Sequence, residues 1–324
     1  MRHLNKYQRR VCCKRYCLFT YTLIAILTLI SLPIAADSTD IHENAGTRAM
    51  TFLKIGVGAE AMSMGESQVA ATDDLYASYW NPAGLTRLQK PQLALMHNEW
   101  FAGINHEFVG FALPIGSIGT VGFSSSYLSF GELQGRDREG NETTIFRPYD
   151  LALILSYARS FGDNLAFGTN AKFLREQIAD ETGTGIAFDF GVLYTFPGTP
   201  LALGFNAQHL GPRVKFIEEA FGLPVTFRFG GAYKLWNDAF TLTTDIIRPS
   251  DNDIEIGIGA GYTIGNILQL RTGYKYKIGG NDLGAISGLA SGFGLTLRQF
   301  QIDYALVPFG VLGLTHRFSL VANF

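Results

Sequence analysis

QLRTGYKYKI, residues 269–278, changes character at every step. The even-numbered positions hold Leu, Thr, Tyr, Tyr and Ile, and the odd-numbered positions hold Gln, Arg, Gly, Lys and Lys. Successive side chains of a β-strand point to opposite faces. The stretch therefore predicts a strand with one largely apolar face and one basic or small face.

The same alternation recurs in 225–233, 254–264 and 300–306. A soluble sandwich would turn the apolar face inward and expose the glycine-rich face to water. A membrane barrel needs no such exposure, because its strands alternate apolar-out and polar-in. About fourteen runs of this kind fit the even-numbered range of bacterial barrels. They start near Gln92, Asn105, Gly119, Tyr149, Asn164, Gly185, Pro200, Pro224, Asp238, Asp253, Ile267, Leu289, Gln299 and Val311.

The connections between the runs alternate in length, except that the two outer connections at 101–104 and 308–309 are also short. Short turns are expected at 116–118, 162–163, 197–199, 236–237, 265–266 and 298–299, and longer polar loops at 131–148, 177–184, 211–223, 248–252 and 279–288. Outer-membrane barrels have short periplasmic turns and longer outer loops. We therefore predict an all-β, transmembrane antiparallel β-barrel over 91–324, with the N-terminus on the periplasmic side. The final strand pattern includes Phe318 and ends at Phe324, which resembles the C-terminal assembly signal of such barrels.

The first 36 residues predict a secretory signal peptide. They combine a basic start with the apolar run 17–30 and the small residues Ala35 and Ala36, with cleavage expected near Ala36. All three cysteines, Cys12, Cys13 and Cys17, lie in this segment. The expected mature chain therefore has neither disulfides nor a catalytic thiol.

The charge of the chain argues against nucleic-acid binding. Residues 1–36 hold six of the 26 Lys and Arg and no acid, which leaves 20 basic against 28 acidic side chains and a formal charge of −8. Nucleic-acid binding needs a basic face that releases counterions from phosphate. We therefore expect no nucleic-acid partner.

One long stretch does not alternate. Residues 56–85 read GVGAEAMSMGESQVAATDDLYASYWNPAGL, and small or apolar side chains recur at helical spacing from Ala59 to Ala70. Asn81 precedes a proline, which disfavours helical backbone, so a second short helix over 76–80 is expected to end there. We predict a short N-terminal helical plug over 56–90, at the mouth of the barrel, and a mobile periplasmic leader over 37–55.

The stretch also resembles a known family. The residues that carry the likeness to the N-terminal signature of the PorV/PorQ family of outer-membrane proteins include Gly65, Asp74, Trp80, Asn81, Pro82, Ala83, Gly84 and Leu85. That family is similar in fold to the FadL transporters of hydrophobic compounds, which carry a related Asn-Pro-Ala motif in an N-terminal hatch. The motif is interpreted as a structural turn that seats the plug, in preference to direct contact with a ligand.

The resemblance implies a FadL-like barrel in the outer membrane of a Gram-negative bacterium, acting in type IX protein secretion. The implied partners are outer-membrane lipid, secreted cargo with a C-terminal signal domain and other secretion components. The residues leave open whether the chain is a PorV-like cargo shuttle or a PorQ-like component of the attachment complex.

Nine charged side chains are predicted to face the lumen, where pairing among them is favoured over catalysis because charged lumen positions are usual for barrels. They are Lys172, Asp189, Arg228, Asp245, Glu255, Arg271, Lys275, Arg298 and Asp303. The mature histidines are scattered without metal-ligand spacing, and no serine lies in a nucleophile elbow. We therefore predict a non-enzymatic protein without metal or cofactor.

The alternative function is a FadL-like channel for uptake of hydrophobic small molecules. It requires an apolar pocket in the lumen near the plug, for which Met96, Trp100 and Phe108 are the candidates.

Overall fold

The computed structural model describes residues 42–280 and 283–324. Fourteen antiparallel strands form a closed barrel in which each strand pairs with its neighbours in the chain, and the first and last barrel strands close the ring. The predicted fold class and strand number are confirmed. The predicted signal peptide lies outside the described residues. Within those residues, no helix is both long and apolar enough to cross a membrane.

The barrel strands are β1 Gln92–Glu99, β2 Asn105–Pro114, β3 Thr120–Ser129, β6 Tyr149–Phe161, β7 Leu165–Ile178, β8 Glu181–Thr195, β9 Leu201–Leu210, β12 Thr226–Leu235, β13 Phe240–Pro249, β14 Glu255–Ile264, β15 Leu268–Lys277, β16 Leu289–Leu297, β17 Phe300–Pro308 and β18 Leu314–Asn323. Two hairpins stand outside the barrel: β4 Leu133–Arg136 with β5 Glu142–Phe146, and β10 Val214–Phe216 with β11 Glu219–Phe221. Short 3₁₀ turns cover Phe101–Gly103, Gly116–Ile118, Ala285–Gly288 and Gly310–Leu312.

The strands bury one face and expose the other. In β12, Phe227 and Phe229 are 45% and 51% exposed, whereas Arg228 between them is 4% exposed. In β15, Leu270 is exposed and Arg271 is buried. The apolar side chains therefore point outward, as lipid requires, and the polar side chains point into the lumen.

The two ends of the barrel differ. At the short-turn end lie the connections 115–119, 162–164, 196–200, 236–239, 265–267 and 298–299. At the long-loop end lie 100–104, 130–148, 179–180, 211–225, 250–254, 278–280 with 283–288, and 309–313. The predicted short turns are confirmed, and the two hairpins occupy the loops predicted at 131–148 and 211–223.

The long loop predicted at 177–184 is wrong. The strand β7 continues to Ile178, and β8 begins at Glu181, so a two-residue turn with Ala179 at φ 50° joins them. The strand start predicted at Gly185 is therefore four residues late. Residues 181–184 are Glu, Thr, Gly and Thr. This part of the strand extends beyond the apolar band and has no apolar face, so alternation of apolar and polar residues cannot identify it.

The N-terminal segment, residues 48–91, contains two short helices, α1 Ala59–Ser63 and α2 Ala77–Trp80, and 3₁₀ turns at Thr51–Lys54 and Pro82–Arg87. The helix predicted from Ala59 to Ala70 is wrong beyond Ser63, because Gly65 and Glu66 adopt left-handed backbone with φ of 65° and 60°. The second helix ends before Asn81, as predicted.

The segment contacts the inner wall at many points around the ring. The helix α1 lies against β15, β16, β17 and β18, and the 3₁₀ turn Pro82–Arg87 lies against β6, β7 and β8. Gly58 and Ala59 donate their backbone N–H groups to Met96 Sδ on β1 and Ser319 Oγ on β18, at 3.1 Å each. The segment therefore occupies the lumen.

The segment begins at one end of the barrel and finishes at the other. The backbone N–H of Ala49 donates to the Gly222 carbonyl at 3.0 Å, and Lys54 Nζ pairs with Asp251 at 2.6 Å, both at the long-loop end. At the short-turn end, the Phe324 N–H donates to the carbonyl of Pro91 at 3.0 Å.

This path bears on part of the predicted leader. Residues 48–55 are largely buried, and they lie at the end of the barrel opposite to the start of β1. Met50, Phe52 and Leu53 are at most 5% exposed and pack in one apolar cluster with Val214 and Leu223 from the loop after β9. Burial of these side chains holds the start of the segment at the long-loop end.

Candidate functional site

Asn81 organises the turn that follows helix α2. Its backbone is extended, at φ −165° and ψ 104°, and its Oδ1 accepts a hydrogen bond from the Ala83 N–H at 3.1 Å. Its Nδ2 donates to the carbonyls of Val69 at 2.7 Å and Val192 at 3.0 Å. One side chain thus ties the turn to itself, to an earlier part of the segment and to strand β8.

Two wall glycines let this turn lie directly on the strands. A Cβ atom at Gly191 would lie 2.1 Å from Asn81 Oδ1, and a Cβ atom at Gly168 would lie 2.2 Å from the carbonyl carbon of Pro82. Ala83 is fully buried. A side chain of any size at either wall position would force the turn off the wall.

The motif also packs within the segment. A Cβ atom at Gly84 would lie 2.9 Å from the carbonyl oxygen of Thr72, and the side chain of Leu85 is fully buried. Glycine and leucine at these positions fit a turn that must approach its own chain closely and still anchor in the core.

A second close contact lies on the other side of the barrel. Gly65 has φ +65°, and a Cβ atom there would lie 2.7 Å from the backbone nitrogen of Tyr274. In return, Cβ atoms at Gly273 and Gly257 would lie 2.1 Å and 2.5 Å from the backbone of Gly65. Glycine is needed on both surfaces, because backbone meets backbone here.

Trp80 is fully buried at the centre of the segment. Its Nε1 donates to the Val57 carbonyl at 2.8 Å, and the Tyr79 ring meets it edge-on at 4.8 Å between centroids. The guanidinium of Arg228 lies over the indole, 4.8 Å from its centroid. A cation over an aromatic face is attracted by the ring quadrupole, so Trp80 joins the wall to the segment.

The carboxylates of the segment pair with cations of the wall. Arg271 binds Glu60 through Nη2 at 2.6 Å and Asp303 through Nη1 at 2.7 Å. Lys275 Nζ lies 2.8 Å from Glu66 and 3.7 Å from Glu255. The Arg228 guanidinium lies 3.7 Å from Glu66. Buried charges are costly unless they are paired, so these pairs specify how the segment sits.

Two further acids act from β8 and β13. Lys172 Nζ and Asp189 Oδ2 are 2.6 Å apart and fully enclosed, and His209 donates its backbone N–H to Asp189 Oδ1 at 2.8 Å. Asp245 Oδ2 accepts the backbone N–H of Val69 at 2.9 Å. Eight of the nine predicted lumen charges thus pair with one another or bind the segment.

Amide side chains of the wall complete the end of helix α2, whose last carbonyls have no partner within the helix. Three side-chain amides of the wall donate to these backbone carbonyls. Asn170 donates to the carbonyl of Ser78 at 2.7 Å, Gln208 to that of Tyr79 at 2.7 Å and Asn206 to that of Trp80 at 2.9 Å. These three residues were not among those predicted from the sequence. Their signal was a polar amide at inward positions of β7 and β9.

A family model described as type IX secretion system protein PorV matches residues 38–247, which is more than half of the chain. The chain belongs to the PorV family. The match spans the N-terminal segment and every barrel strand from β1 to β12, and it ends within β13. It confirms the resemblance found in the motif that ends at Leu85. No curated protein matches the sequence at a significant level.

Solved structures share the fold of this PorV-family chain. The Ralstonia pickettii toluene transporter TbuX is 15% identical with a TM-score of 0.56, and the alignment covers 83% of this chain and 98% of TbuX. A Pseudomonas aeruginosa FadL homologue is 11% identical with a TM-score of 0.57, over 86% of this chain and 99% of the homologue. The TodX monoaromatic hydrocarbon channel, as a deletion mutant, is 13% identical with a TM-score of 0.56, over 83% and 99%. Identities this low establish the barrel fold alone.

Arg298 is not a lumen residue of the PorV-family barrel. It lies in the exposed turn between β16 and β17, with left-handed backbone at φ 56°. The alternating pattern runs up to Leu297 and resumes at Phe300, so counting through the turn put Arg298 on the inner face. Phe318 and Phe324, the predicted assembly signal, are 51% and 61% exposed on and just after β18.

Asp74 is the acidic member of the predicted motif. Its Oδ1 accepts the backbone N–H of Tyr76 at 2.9 Å, which forms an Asx turn before helix α2. Burial, together with the neighbouring carboxylates of Glu60 and Asp73, raises the pKa of Asp74 well above its usual range. Among the described residues, no group of three or more His, Cys, Asp and Glu is placed to hold a metal ion.

The apolar candidates of the uptake hypothesis are engaged in packing. Phe108 is 2% exposed and lies 5.4 Å from the ring of Tyr76 in the segment. Met96 is 3% exposed in the same apolar cluster. Trp100 lies at the long-loop end, with its ring 4.3 Å from that of Phe101. These side chains fill space together with the segment.

Proposed function

We propose that this PorV-family chain acts in type IX protein secretion as a non-enzymatic outer-membrane component, either as a cargo shuttle or as a part of the attachment complex. The observation that carries the proposal is the family match over 38–247, which includes the segment within the barrel. The family implies association with other type IX secretion components. Secreted cargo with a C-terminal signal domain is the proposed ligand.

We further propose that residues 56–90 act as a plug. The segment is fixed on opposite sides of the ring, by Gly65 on β14 and β15 and by Pro82 on β7 and β8. Its acid Glu60 is paired with Arg271 of the wall. A lumen filled in this way favours a protein that works through its outer surfaces, and the hairpins at the long-loop end supply the surface for cargo.

Uptake of hydrophobic small molecules is the competing function. TbuX is a toluene transporter and TodX is a monoaromatic hydrocarbon channel, but their low sequence identity to this chain supports only a shared barrel fold. Phe108 packs against Tyr76 of the segment, so one of the three candidate pocket residues is engaged in packing. We therefore favour the role in secretion.

Deletion of the gene tests the proposal in a strain that has the secretion system. Cargo with a C-terminal signal domain should then accumulate in the periplasm, and the wild-type gene should restore its delivery to the surface. Uptake of a radiolabelled aromatic hydrocarbon should be unchanged by the deletion. Normal cargo delivery in the deletion strain, together with reduced hydrocarbon uptake, would contradict the role in secretion and favour the competing function.

A further inference from the structure

Arg317 differs from the other buried cations of the inner wall. Lys172, Arg228 and Arg271 each have a carboxylate oxygen within 4.0 Å. Arg317 on β18 is 1% exposed, and no carboxylate among the described residues lies that close to it. Its Nη1 donates to the carbonyl of Gly56 at 2.5 Å. A buried charge without a counter-charge is strongly unfavourable.

Two neutral polar residues share this part of the wall. Asn98 on β1 is the direct cross-strand partner of Arg317 on β18 and of His106 on β2. All three side chains are inward and at most 1% exposed. Directly opposed residues of adjacent strands have Cβ atoms about 4.5–5.5 Å apart, so their polar groups converge on one region.

Several polar atoms of this cluster have no hydrogen-bond partner. They are Nδ2 and Oδ1 of Asn98, Nδ1 of His106 and Nε of Arg317. More than about 90% of buried backbone polar groups, and the large majority of buried side-chain polar atoms, are satisfied in native proteins. Four orphaned atoms on three neighbouring strands therefore call for a common explanation.

The orphaned atoms are mainly donors. His106 Nε2 lies 2.7 Å from Ser126 Oγ, and when the hydroxyl donates to Nε2 the ring proton stands on Nδ1. Arg317 Nε and Asn98 Nδ2 each carry hydrogen. With that tautomer, three N–H groups lie next to a guanidinium that has no carboxylate oxygen within 4.0 Å among the described residues. They match the requirements of an anion, since charge-assisted hydrogen bonds are the stronger ones.

We propose that Arg317, Asn98 and His106 bind a small monovalent anion of halide size on the inner wall. The enclosure of all three side chains restricts the ligand to a small ion. The same guanidinium holds the carbonyl of Gly56, so the anion also stabilises the start of the N-terminal segment on β18. This site is independent of the proposed function in secretion.

Bromide is the direct probe, because it scatters anomalously and replaces chloride. Crystals of the full-length barrel in detergent, grown in sodium bromide, should contain one ordered bromide in contact with Arg317 and Asn98. An ordered water at that position, or no bromide there while other halide sites are filled, would overturn the proposal.

Thermal unfolding of the purified barrel gives a second test. Heat-modifiable folded protein should persist to a higher temperature in sodium chloride than in sodium gluconate of equal ionic strength. A tenfold rise of chloride above its Kd should raise the midpoint by about 3 °C. Arg317→Met should abolish this difference, whereas Arg228→Met, which removes a paired cation, should retain it. An equal chloride effect in both variants would contradict the site, and failure of Arg317→Met to fold leaves the bromide experiment decisive.

Discussion

Single residues determine how closely the N-terminal segment approaches the wall. At Gly168 and Gly191 the absence of a Cβ atom lets the Asn81-Pro82 turn lie on the strand backbone. At Gly65 the same is achieved from the segment side, with a left-handed backbone that favours glycine. The close approach of the segment to the wall therefore depends on glycine at these three positions.

Gly168→Ala should loosen the segment without preventing barrel closure. The new Cβ would meet the backbone of Pro82 at 2.2 Å, and overpacking of this kind costs about 1–3 kcal/mol. Limited proteolysis of folded barrel in detergent should then cut within residues 42–91. Gly122→Ala is the matched control, because its Cβ would lie 3.4 Å from the nearest atom, Ser156 Cβ. Equal protection of both variants would refute the close-contact argument.

Asp74→Asn should strengthen the seating of the segment at neutral pH. Burial and neighbouring acids raise the pKa of Asp74 when the segment is seated, so the seated segment favours the protonated carboxyl. The contribution of this carboxyl to the stability of the seated segment is fully present below the pKa of the unfolded chain, about 4. This contribution is lost as the pH rises towards the raised pKa. Asparagine preserves the acceptor for the Tyr76 N–H and cannot ionise.

Protease protection measured from pH 4 to pH 8 checks this prediction. The wild type should lose protection as the pH rises, and Asp74→Asn should lose less. Glu60, whose pKa is raised mainly by burial, contributes in the same direction, so part of the dependence remains. An identical pH profile for the two proteins would exclude Asp74 as a cause.

At the scale of elements, a four-residue helix is stabilised by strands that are distant in sequence. The carbonyls at the end of α2 accept hydrogen bonds from Asn170, Asn206 and Gln208 on β7 and β9. Isolated helices of this length do not persist in water. The wall therefore supplies the stability of the helix, and the helix in turn occupies the polar positions of the wall.

Replacement of Asn81-Pro82-Ala83 by three serines should separate the segment from the barrel. The strands bond to one another, so folded, heat-modifiable barrel should remain in the outer membrane. The three backbone contacts of the Asn81 side chain would be lost. The segment should become protease-sensitive, and co-purification with cargo or secretion components should fall. A variant with an intact, protected segment and unchanged co-purification would show that this turn is not essential.

Elements were predictable where the signal is local. Alternation with a period of two needs only neighbouring residues, which is why the strand number and most strand starts were predicted. The partners of helix α2 lie 92 to 129 positions away in the chain, and no local pattern encodes such pairs. The start of β8 at Glu181 failed for the related reason that polar residues on both faces conceal a strand.

At the scale of the whole molecule, the N-terminal segment runs along the lumen from the long-loop end to the short-turn end. If the long loops face the cell exterior, the start of the segment faces it too. Lys54 is bound to Asp251 in the loop after β13, and residues 42–53 are therefore expected at the cell surface. The sequence alone had placed this part in the periplasm, because the lumen contacts of Met50 and Phe52 are not visible in a pattern.

Cysteine labelling tests this direction on intact cells. The native cysteines all lie in the predicted signal peptide, so single substitutions give clean signals. Asn141→Cys in the β4–β5 connection and Glu43→Cys before the segment should both react with a membrane-impermeant maleimide. Asp163→Cys in a short turn should react only after lysis. Labelling of Glu43→Cys only after lysis, with Asn141→Cys labelled on intact cells, would contradict the path of the segment.

The closure of the ring by β1 and β18 imposes an order in time. Gln92 pairs with Asn323 and Glu99 with His316, which join the two ends of the barrel sequence. Contacts with the greatest separation along the chain carry the largest loop-closure cost and tend to form late. Because the segment lies inside the ring immediately before β1, we expect it to take its place while the wall is still open. Once β1 and β18 have paired, the segment can leave only along the barrel axis, so closure of the ring slows its release in addition to the contacts that hold it.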